Sequence, residues 1–293
     1  MFKKELVSMI SFHGISPIHA GSGASTGAVD NPIQREKHTN WPVIQASAVK
    51  GAMRSHFRRF FSPKDNKEDK NELLNHIFGS DEQDGWDKEK EGVPGALSVS
   101  DAKILAMPVR SNVAPFVWVT SPAVLKRLKR DLEFAGIGSI EKIPEVSVDD
   151  SIIIGDWNVD DNIILEDVVV KKTSKTDIPF VENNFPEINK LLLISDEMFK
   201  YVVENCTEIQ TQIKIDEKTG TAKDGALRYE ELLPSDTLLY SIIYYSKSAS
   251  DKLNPEGVYE NVKQSIKDFI QLGGDETLGR GICRVRWIKG GKQ

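Results

Sequence analysis

The stretch KELVSMISFHGISPIHAGSGASTGAVDNP, residues 4–32, joins two contrasting kinds of sequence. Residues 4–13 are rich in strand formers and are followed by Gly14 and Pro17, which predicts a first strand. Small residues then run to Pro32, with Gly21, Gly23 and Gly27 among them, which predicts a loop. The fold therefore opens with a strand and a long glycine-rich connection.

The segment after this loop has helical periodicity. Val49, Met53, Phe57 and Phe60 recur at spacings of four, four and three, and Ser47 is a plausible N-cap. This pattern predicts a helix that ends near residue 61, before a proline.

The same helix carries a basic stripe, Lys50, Arg54 and Arg58, at positions i, i+4 and i+8. No acidic residue lies between Lys50 and Arg59 on this helix. The stripe is either a solvated basic surface or a ladder that contacts successive phosphates of one nucleic-acid strand. Spacing alone favours neither interpretation.

Strand and helix patterns alternate along the rest of the chain. A period-2 strand over 209–215 runs into turn signals and predicts a long hairpin. Residues 64–92 are dense in charge and read as a surface insertion, whereas 137–190 give no clear pattern. Further strands are predicted over 96–105, 115–120, 191–194, 237–245 and 281–288, and helices over 121–136, 195–205 and 258–272. This interleaving indicates an α+β or α/β fold.

Composition narrows the functional classes. The 293 residues carry a formal net charge of −6, which argues against a protein that coats nucleic acid through bulk charge. No apolar run is long enough to span a bilayer and no signal peptide is evident, so we expect a cytoplasmic protein without membrane contact. Cys206 and Cys283 have no zinc-type spacing and are expected to be reduced core residues.

The most specific motif is GGDETLGRG, residues 273–281, between the last helix and the last strand. A plain turn needs one or two glycines, whereas Gly273, Gly274, Gly279 and Gly281 let backbone N–H groups approach a ligand closely. Arg280 adds a guanidinium that can fork onto phosphate oxygens.

The first glycine-rich loop has several possible roles. A P-loop would need Gly-Lys-Ser/Thr, and a dinucleotide fingerprint would need a helix at once, but Asp30-Asn31-Pro32 follows instead. Taken alone, Asp30 is more typical of an Asx-turn residue than of a catalytic one, and His19 could be a proton carrier or simply a strand-end histidine.

Seven segments together resemble the RAMP superfamily of CRISPR proteins, in particular the repeated backbone subunit of the type III-B, or Cmr, effector complex. They are IHAGSG (18–23), VDNPIQRE (29–36), SAVKGAMRSHF (47–57), GALSVSDAKIL (95–105), VWVTSP (117–122), DGALRYEELLP (224–234) and GGDETLGRG (273–281). The resemblance implies an α+β fold with an RRM-like, ferredoxin-like palm, inserted lobes and a β-hairpin thumb. It implies one domain over 1–293, insertions at about 62–95 and 137–190, and a thumb over about 207–234.

The resemblance also implies functional residues. Subunits of this family stack into a helical filament along a guide RNA with other subunits of the complex, and an Asp in the loop after the first strand is needed to cut complementary target RNA. Matched by motif, that residue is Asp30. His19, Glu230 and Glu231 lie in segments that approach the same site in this family, so they are expected to be further catalytic residues, ranked after Asp30.

RNA contacts are expected from two elements of the chain. One is the basic helix, with Lys50, Arg54 and Arg58. The other is the C-terminal loop, with Gly273, Gly274, Thr277, Gly279, Arg280 and Gly281.

A divalent metal, most simply Mg²⁺, is expected at Asp30. A lone carboxylate is a poor base near its ordinary pKa of about 4 but a suitable magnesium ligand beside phosphate.

Several alternatives stay open at this point. The chain could be a backbone subunit that holds RNA without cutting it, or the corresponding subunit of a type III-A complex. A stand-alone guide-processing ribonuclease of the superfamily is disfavoured, because no histidine follows His76. A small-molecule enzyme is the remaining alternative.

Overall fold

The computed structural model describes residues 6–23, 25, 27–63, 69–87, 89, 91–159, 162–249 and 251–290. Residues 4 and 5, with which the predicted first strand begins, lie outside this set. The described strands, in chain order, are β1 Leu6–Gly14, β2 Val43–Ile44, β3 Leu97–Val99, β4 Ala102–Arg110, β5 Phe116–Thr120, β6 Asp150–Ile154, β7 Asn162–Leu165, β8 Val168–Thr176, β9 Leu191–Ile194, β10 Glu208–Gln212, β11 Arg228–Leu232, β12 Leu238–Tyr245, β13 Phe269–Gln271 and β14 Ile282–Lys289. The described helices are α1 Ala46–Phe60, α2 Lys70–Phe78, α3 Pro122–Ala135, α4 Pro179–Asn184, α5 Asp196–Asn205 and α6 Pro255–Ser265.

Four antiparallel strands form the centre of the main sheet, in the order β14-β1-β12-β4. Strand β1 lies between β12 and β14, with Ile10 opposite both Ser241 and Trp287. In chain order these elements run β1-α1-β4, then β12-α6-β14, which is the ferredoxin-like arrangement that the resemblance implied. Because both faces of β1 are covered, it is buried almost throughout rather than at alternate positions, and Ser8, Ser11 and His13 are buried with its apolar residues.

One face of this sheet is covered by α1 and α6, and α1 buries three of the four residues that the periodicity identified, Val49, Met53 and Phe57, whereas Phe60 is 65% exposed. The other face packs against α3, whose buried residues include Leu125, Leu128 and Leu132. No helix in the described ranges has both the length and the apolar character needed to cross a membrane.

The sheet continues beyond β4 through β5, β9, β6, β8 and β7. Residues 137–190, which gave no clear pattern in the sequence, supply β6, β7, β8 and the short α4 to this part. Strand β6 pairs in parallel with β8 and antiparallel with β9. Strands β6 and β7 have only five and four residues, and most of the nine-residue β8 is polar, so hydrophobic periodicity is weak across this region.

Helix boundaries were predicted well where the caps are local. Ser121 and Ser195 accept hydrogen bonds from the amides of Val124 and Met198, and Gly136 ends α3 with a positive φ of 65°. The predicted N-cap at Ser47 was wrong, because α1 begins at Ala46, whose amide donates to Asp101 Oδ1 at 2.7 Å. The predicted helix over 258–272 was too long, because residues 269–271 pair with β14 as strand β13.

The charge-rich insertion is attached to α1 by packing and by an ion-pair cluster. Phe78 of α2 packs edge-on against Phe57. Asp84, almost completely buried, accepts hydrogen bonds from Arg54 Nε at 2.8 Å and from Arg58 Nε at 2.5 Å. Burial raises the pKa of Asp84, but the hydrogen bonds from Arg58 and Arg54 outweigh it, so the pKa lies below its ordinary value.

We predict that Asp84→Asn lowers the free energy of unfolding at pH 7 by on the order of 3 kcal/mol, because two arginines lose a buried partner. The pKa of Asp84 is lower in the folded state than in the unfolded state, where it is near 4. The carboxylate therefore stabilises the fold above about pH 4, and this stabilisation is lost as pH falls through the folded-state pKa. The difference in unfolding free energy between the variant and the unaltered protein should therefore shrink below about pH 4. Urea unfolding at several pH values measures it, with the exposed Asp87→Asn as control. A deficit that stays constant down to pH 3 contradicts this account.

Candidate functional site

The glycine-rich loop after β1 is fastened along strand β11 of the β10–β11 hairpin. On one arm, Ile18 exchanges two backbone hydrogen bonds of 2.9 Å with Leu233. On the other arm, the Asn31 amide donates to the Tyr229 carbonyl at 3.1 Å, and the Glu231 amide donates to the Asn31 carbonyl at 3.0 Å. Both arms of the loop therefore take their positions from the base of the hairpin.

Asp30 lies where this loop meets the hairpin. Its Oδ2 accepts a hydrogen bond from the Tyr229 amide at 2.7 Å, and its carbonyl accepts one from the Ser25 amide at 2.8 Å. The side chain is half-buried, and its second carboxylate oxygen has no partner in the described part of the chain. One carboxylate oxygen of Asp30 is thus hydrogen-bonded to the hairpin, and the other is open, with no partner among the described residues, at the loop surface.

His19 lies between the hairpin and the C-terminal glycine-rich loop. Its Nδ1 is 2.8 Å from the Glu231 carbonyl, and because a carbonyl only accepts, Nδ1 carries the hydrogen. Its Nε2 faces Glu230 Oε1 at 3.5 Å. Nε2 is therefore the ring nitrogen that faces the Glu230 carboxylate.

Glu230 is a buried carboxylate with several charged neighbours. Burial is the largest effect on its pKa and raises it, and the nearby Asp275 carboxylate acts in the same direction. His19 and Arg280 oppose this rise but do not cancel it. Glu230 can consequently take up a proton more readily than an exposed glutamate.

Glu231 points to the opposite face of β11 from Glu230, as neighbouring residues of a strand do. Its Oε2 accepts from the Ile33 amide at 3.0 Å, and its Oε1 accepts from Arg35 Nη2 at 2.5 Å and Thr207 Oγ1 at 2.9 Å. Both oxygens are engaged in holding the chain. The structure thus shows Glu231 holding the Ile33 amide, Arg35 and Thr207 together through its carboxylate.

The C-terminal glycine-rich loop contacts the first loop directly. The Gly274 amide donates to the His19 carbonyl at 2.8 Å. A Cβ on Gly273 would lie 2.3 Å from that same carbonyl oxygen, and one on Gly281 would lie 1.8 Å from the Leu272 carbonyl oxygen. Two of the four glycines are therefore required by the packing of the chain on itself.

The rest of this loop is open or faces the hairpin. Thr277 and Gly279 are exposed, and a Cβ on Gly279 would meet nothing within 4 Å. Arg280 donates from Nη2 to the side chain of Gln210 in β10, and its Nε is buried with no partner in the described residues. The guanidinium expected to fork onto phosphate is thus partly committed to the hairpin.

A groove of about 650 Å³ runs between the two glycine-rich loops and α1. Its wall on α1 consists of small side chains, and the other walls come from the two glycine-rich loops together with Gln34 and Gln271. The lining residues are His19, Ala20, Gly21, Gly23, Asn31, Gln34, Ala48, Gly51, Ala52, Ser55, Gln271, Gly273 and Gly274. A groove lined largely by glycines and small residues lets a nucleic-acid backbone approach closely, in contacts that do not depend on sequence.

The basic stripe lies on the same helix, but none of its three residues lines the groove, and the three are not equivalent. Arg54 and Arg58 are paired with Asp84, so the acid missing from the helix itself is supplied by the insertion. Lys50 is half-buried and has no ion-pair partner in the described ranges. Burial, and then the charge of Arg54, lower its pKa.

The metal expected at Asp30 has few protein ligands available. The residues that the structure describes contain no group of three His, Cys, Asp or Glu side chains able to enclose an ion. The open oxygen of Asp30 fits an ion that takes most of its other ligands from water and phosphate, as Mg²⁺ commonly does.

Three contributors to this site were not identified from sequence. Arg35 and Asp275 lie inside recognisable motifs, VDNPIQRE and GGDETLGRG, but nothing in those motifs shows that their side chains face Glu231 and Glu230. The Tyr229 amide is a backbone group and leaves no signal in the sequence.

The sequence and the fold of this chain are similar to those of known proteins. The family model described as RAMP superfamily matches residues 11–284. The CRISPR system Cmr endoribonuclease Cmr4 of Pyrococcus furiosus is 37% identical over 291 residues, which cover 94% of each chain. The crystal structure of oligomeric Cmr4 from Pyrococcus furiosus superposes with a TM-score of 0.72 at 31% identity, over 98% of this chain and 99% of that one.

A cryo-EM structure of the type III-B Cmr-beta complex bound to cognate target RNA contains a chain with a TM-score of 0.75. Its identity is 23%, with 96% of this chain and 97% of that chain covered, so this likeness concerns the fold alone. The match of the family model across nearly the whole chain, together with the ferredoxin-like sheet and the two glycine-rich loops, shows that the chain belongs to the RAMP superfamily.

Proposed function

We propose that this chain is a filament-forming backbone subunit of a type III-B CRISPR effector, which binds guide RNA and cuts complementary target RNA at Asp30. The observation that carries the proposal is the placement of Asp30, held by the Tyr229 amide on a loop docked against the hairpin and beside the groove. Relatives with the name Cmr endoribonuclease and with an oligomeric crystal structure support the activity and the self-association. Guide RNA, target RNA and other effector subunits are the partners, and the cytoplasm is the expected compartment.

The proposed chemistry is attack by the RNA's own 2′-hydroxyl oxygen on the adjacent phosphorus. The new P–O2′ bond forms as the P–O5′ bond breaks, and the 2′-hydroxyl proton and a proton for the departing 5′-oxygen must be moved. Holding these atoms in line supplies much of the rate. Asp30 orients the reacting groups through its open oxygen, and His19 exchanges a proton at Nε2 beside Glu230.

Asp30 is the residue that would hold a divalent metal, with phosphate oxygens as further ligands. When bound, Mg²⁺ would neutralise charge that develops on the phosphate.

The competing function is a backbone subunit that holds RNA without cutting it. Both functions would use the groove and the hairpin, so these features do not distinguish a subunit that cuts RNA from one that only holds it. The open carboxylate oxygen of Asp30 at the loop surface favours cleavage.

We predict that Asp30→Ala and Asp30→Asn, in the assembled complex, each slow cleavage of a complementary RNA by roughly 100-fold or more. Asn retains an oxygen that accepts from the Tyr229 amide, so the loop is preserved while the charge is lost. Guide binding and assembly should be unchanged. Single-turnover cleavage measures the rate, and Asp156→Asn, which alters an exposed carboxylate elsewhere, is the control. Normal cleavage by both Asp30 variants would contradict the assignment of the cut to Asp30.

Lys50 is expected to contact the guide backbone, because Arg54 and Arg58 are already paired. Lys50→Ala should weaken RNA binding and reduce the slope of log affinity against log salt by about one unit. Filter binding at several salt concentrations measures this slope. Lys126→Ala, on α3 at the other face of the sheet, should leave it unchanged. If the two variants have the same slope, Lys50 is not a phosphate contact.

Removal of divalent ions should stop cleavage without releasing the guide, because the ion is expected to depend on Asp30 and the target phosphate. EDTA added to the assembled complex, followed by Mg²⁺, should abolish and then restore the cut products on a gel. Guide retention is followed in parallel by native electrophoresis. Cleavage at full rate in EDTA would exclude the metal requirement.

A further inference from the structure

Arg35 lies five residues after Asp30, just beyond the loop arm that carries it. Its guanidinium reaches three groups from different parts of the chain. Nη2 donates to Glu231 Oε1 at 2.5 Å, and Nη1 donates to the carbonyls of Val203 at 2.8 Å and Asn40 at 2.9 Å. Arg35 therefore connects the hairpin base, the end of α5 and the segment leading to β2.

Glu231 links Arg35 to the loop, because its carboxylate contacts both Arg35 and the loop backbone. The same carboxylate that pairs with Arg35 accepts the Ile33 amide at 3.0 Å through its other oxygen. Residues 30–33 therefore contact β11 without a break. Asn31 is hydrogen-bonded through its backbone to Tyr229 and Glu231, and the Tyr229 amide donates to the Asp30 side chain. The position of Asp30 is thus set by the same strand whose glutamate Arg35 holds.

The pair is well shielded from water. The side chains of Arg35 and Glu231 are 16% and 9% exposed, so their attraction is little screened. The forked guanidinium can meet a carboxylate and two carbonyls at once, which a lysine ammonium cannot reproduce in the same geometry. Without Arg35, Glu231 would be a buried carboxylate with no cationic partner, and it could no longer be held where it receives the Ile33 amide.

We propose that Arg35 is a positioning residue for target-RNA cleavage: acting through Glu231, it fixes the loop arm that presents Asp30. This inference rests on the proposed function. It assigns to Arg35 no contact with RNA, and to Glu231 a holding role in place of proton transfer.

The main alternative is that Arg35 only stabilises the fold, since breaking any buried ion pair is destabilising. The chain offers a matched pair for comparison. Arg127 Nη1 donates to Glu36 Oε1 at 2.6 Å, and these side chains are 12% and 14% exposed. Arg127 also donates to the Ile104 carbonyl at 3.0 Å, so it joins α3 to β4 and to Glu36, which lies beyond the residues 30–33 that contact β11. Loss of this pair should cost stability but should not move Asp30.

The test uses Arg35→Gln, Arg35→Lys and Glu231→Gln in the assembled complex, with Arg127→Gln as control. Arg35→Gln should slow single-turnover cleavage by about 10- to 100-fold, the range that small displacements of catalytic groups produce. Target affinity should change by less than about threefold, because binding does not depend on Asp30. Arg35→Lys should retain folding and lose part of the rate, and Arg127→Gln should cleave normally even if its melting temperature falls.

Two further readouts separate positioning from general stability. Hydrogen exchange of peptides spanning residues 27–34 should accelerate in Arg35→Gln and not in Arg127→Gln, a difference that needs no activity measurement. The double variant Arg35→Gln/Glu231→Gln should cleave no more slowly than the slower single variant, because both changes break one network.

Cleavage at the unaltered rate by folded Arg35→Gln and Arg35→Lys overturns the inference, as do rate losses that multiply in the double variant. If Asp30→Asn also cleaves normally, the proposed function itself fails. If Asp30→Asn is inactive while Arg35→Gln cleaves normally, only the positioning role fails.

Discussion

The hydrogen-bonding edge of strand β11 is the constraint on which the site depends. On one side this short strand pairs with β10, and its other side would leave unsatisfied backbone groups if nothing covered it. Residues 30–33 cover it, with the Tyr229 amide going to the Asp30 carboxylate and the Glu231 amide to the Asn31 carbonyl. A loop rich in glycine, which would otherwise sample many conformations, acquires a defined path because the strand requires partners.

Contacts at the base of the hairpin also connect Asp30 to the groove between the two glycine-rich loops and α1. His19 bonds through its ring to the Glu231 carbonyl and through its own carbonyl to the Gly274 amide. The closeness of Gly273 to that carbonyl leaves no room for a side chain between the two loops. A displacement of the C-terminal loop by RNA would therefore reach His19 and β11 through direct contacts. Packed contacts of this kind allow guide binding and the geometry around Asp30 to depend on each other.

Sequence reasoning was reliable where the cause is local and failed where the partner is distant. The caps at Ser121 and Ser195 and the apolar spacing in α1 follow from neighbouring residues, so they could be predicted. The start of α1 depends on Asp101, and the pairing of Arg54 and Arg58 depends on Asp84 in the insertion, which no periodicity reveals. Alternation along a strand predicts that Glu230 and Glu231 face opposite ways. Only the fold shows which of them faces His19 and which faces Arg35.

In the proposed function, the hairpin base presents Asp30 to the scissile phosphate of a bound target. A structure of the assembled complex, with guide and a target carrying a 2′-deoxy nucleotide at the cut position, tests this placement. The measured quantity is the distance from the Asp30 carboxylate to the uncut phosphate. The account predicts that the open oxygen of Asp30 lies within reach of one metal ion or one water molecule from that phosphate, with the bond from the Tyr229 amide intact. A scissile phosphate placed against other residues, with Asp30 turned away from the RNA, would contradict it.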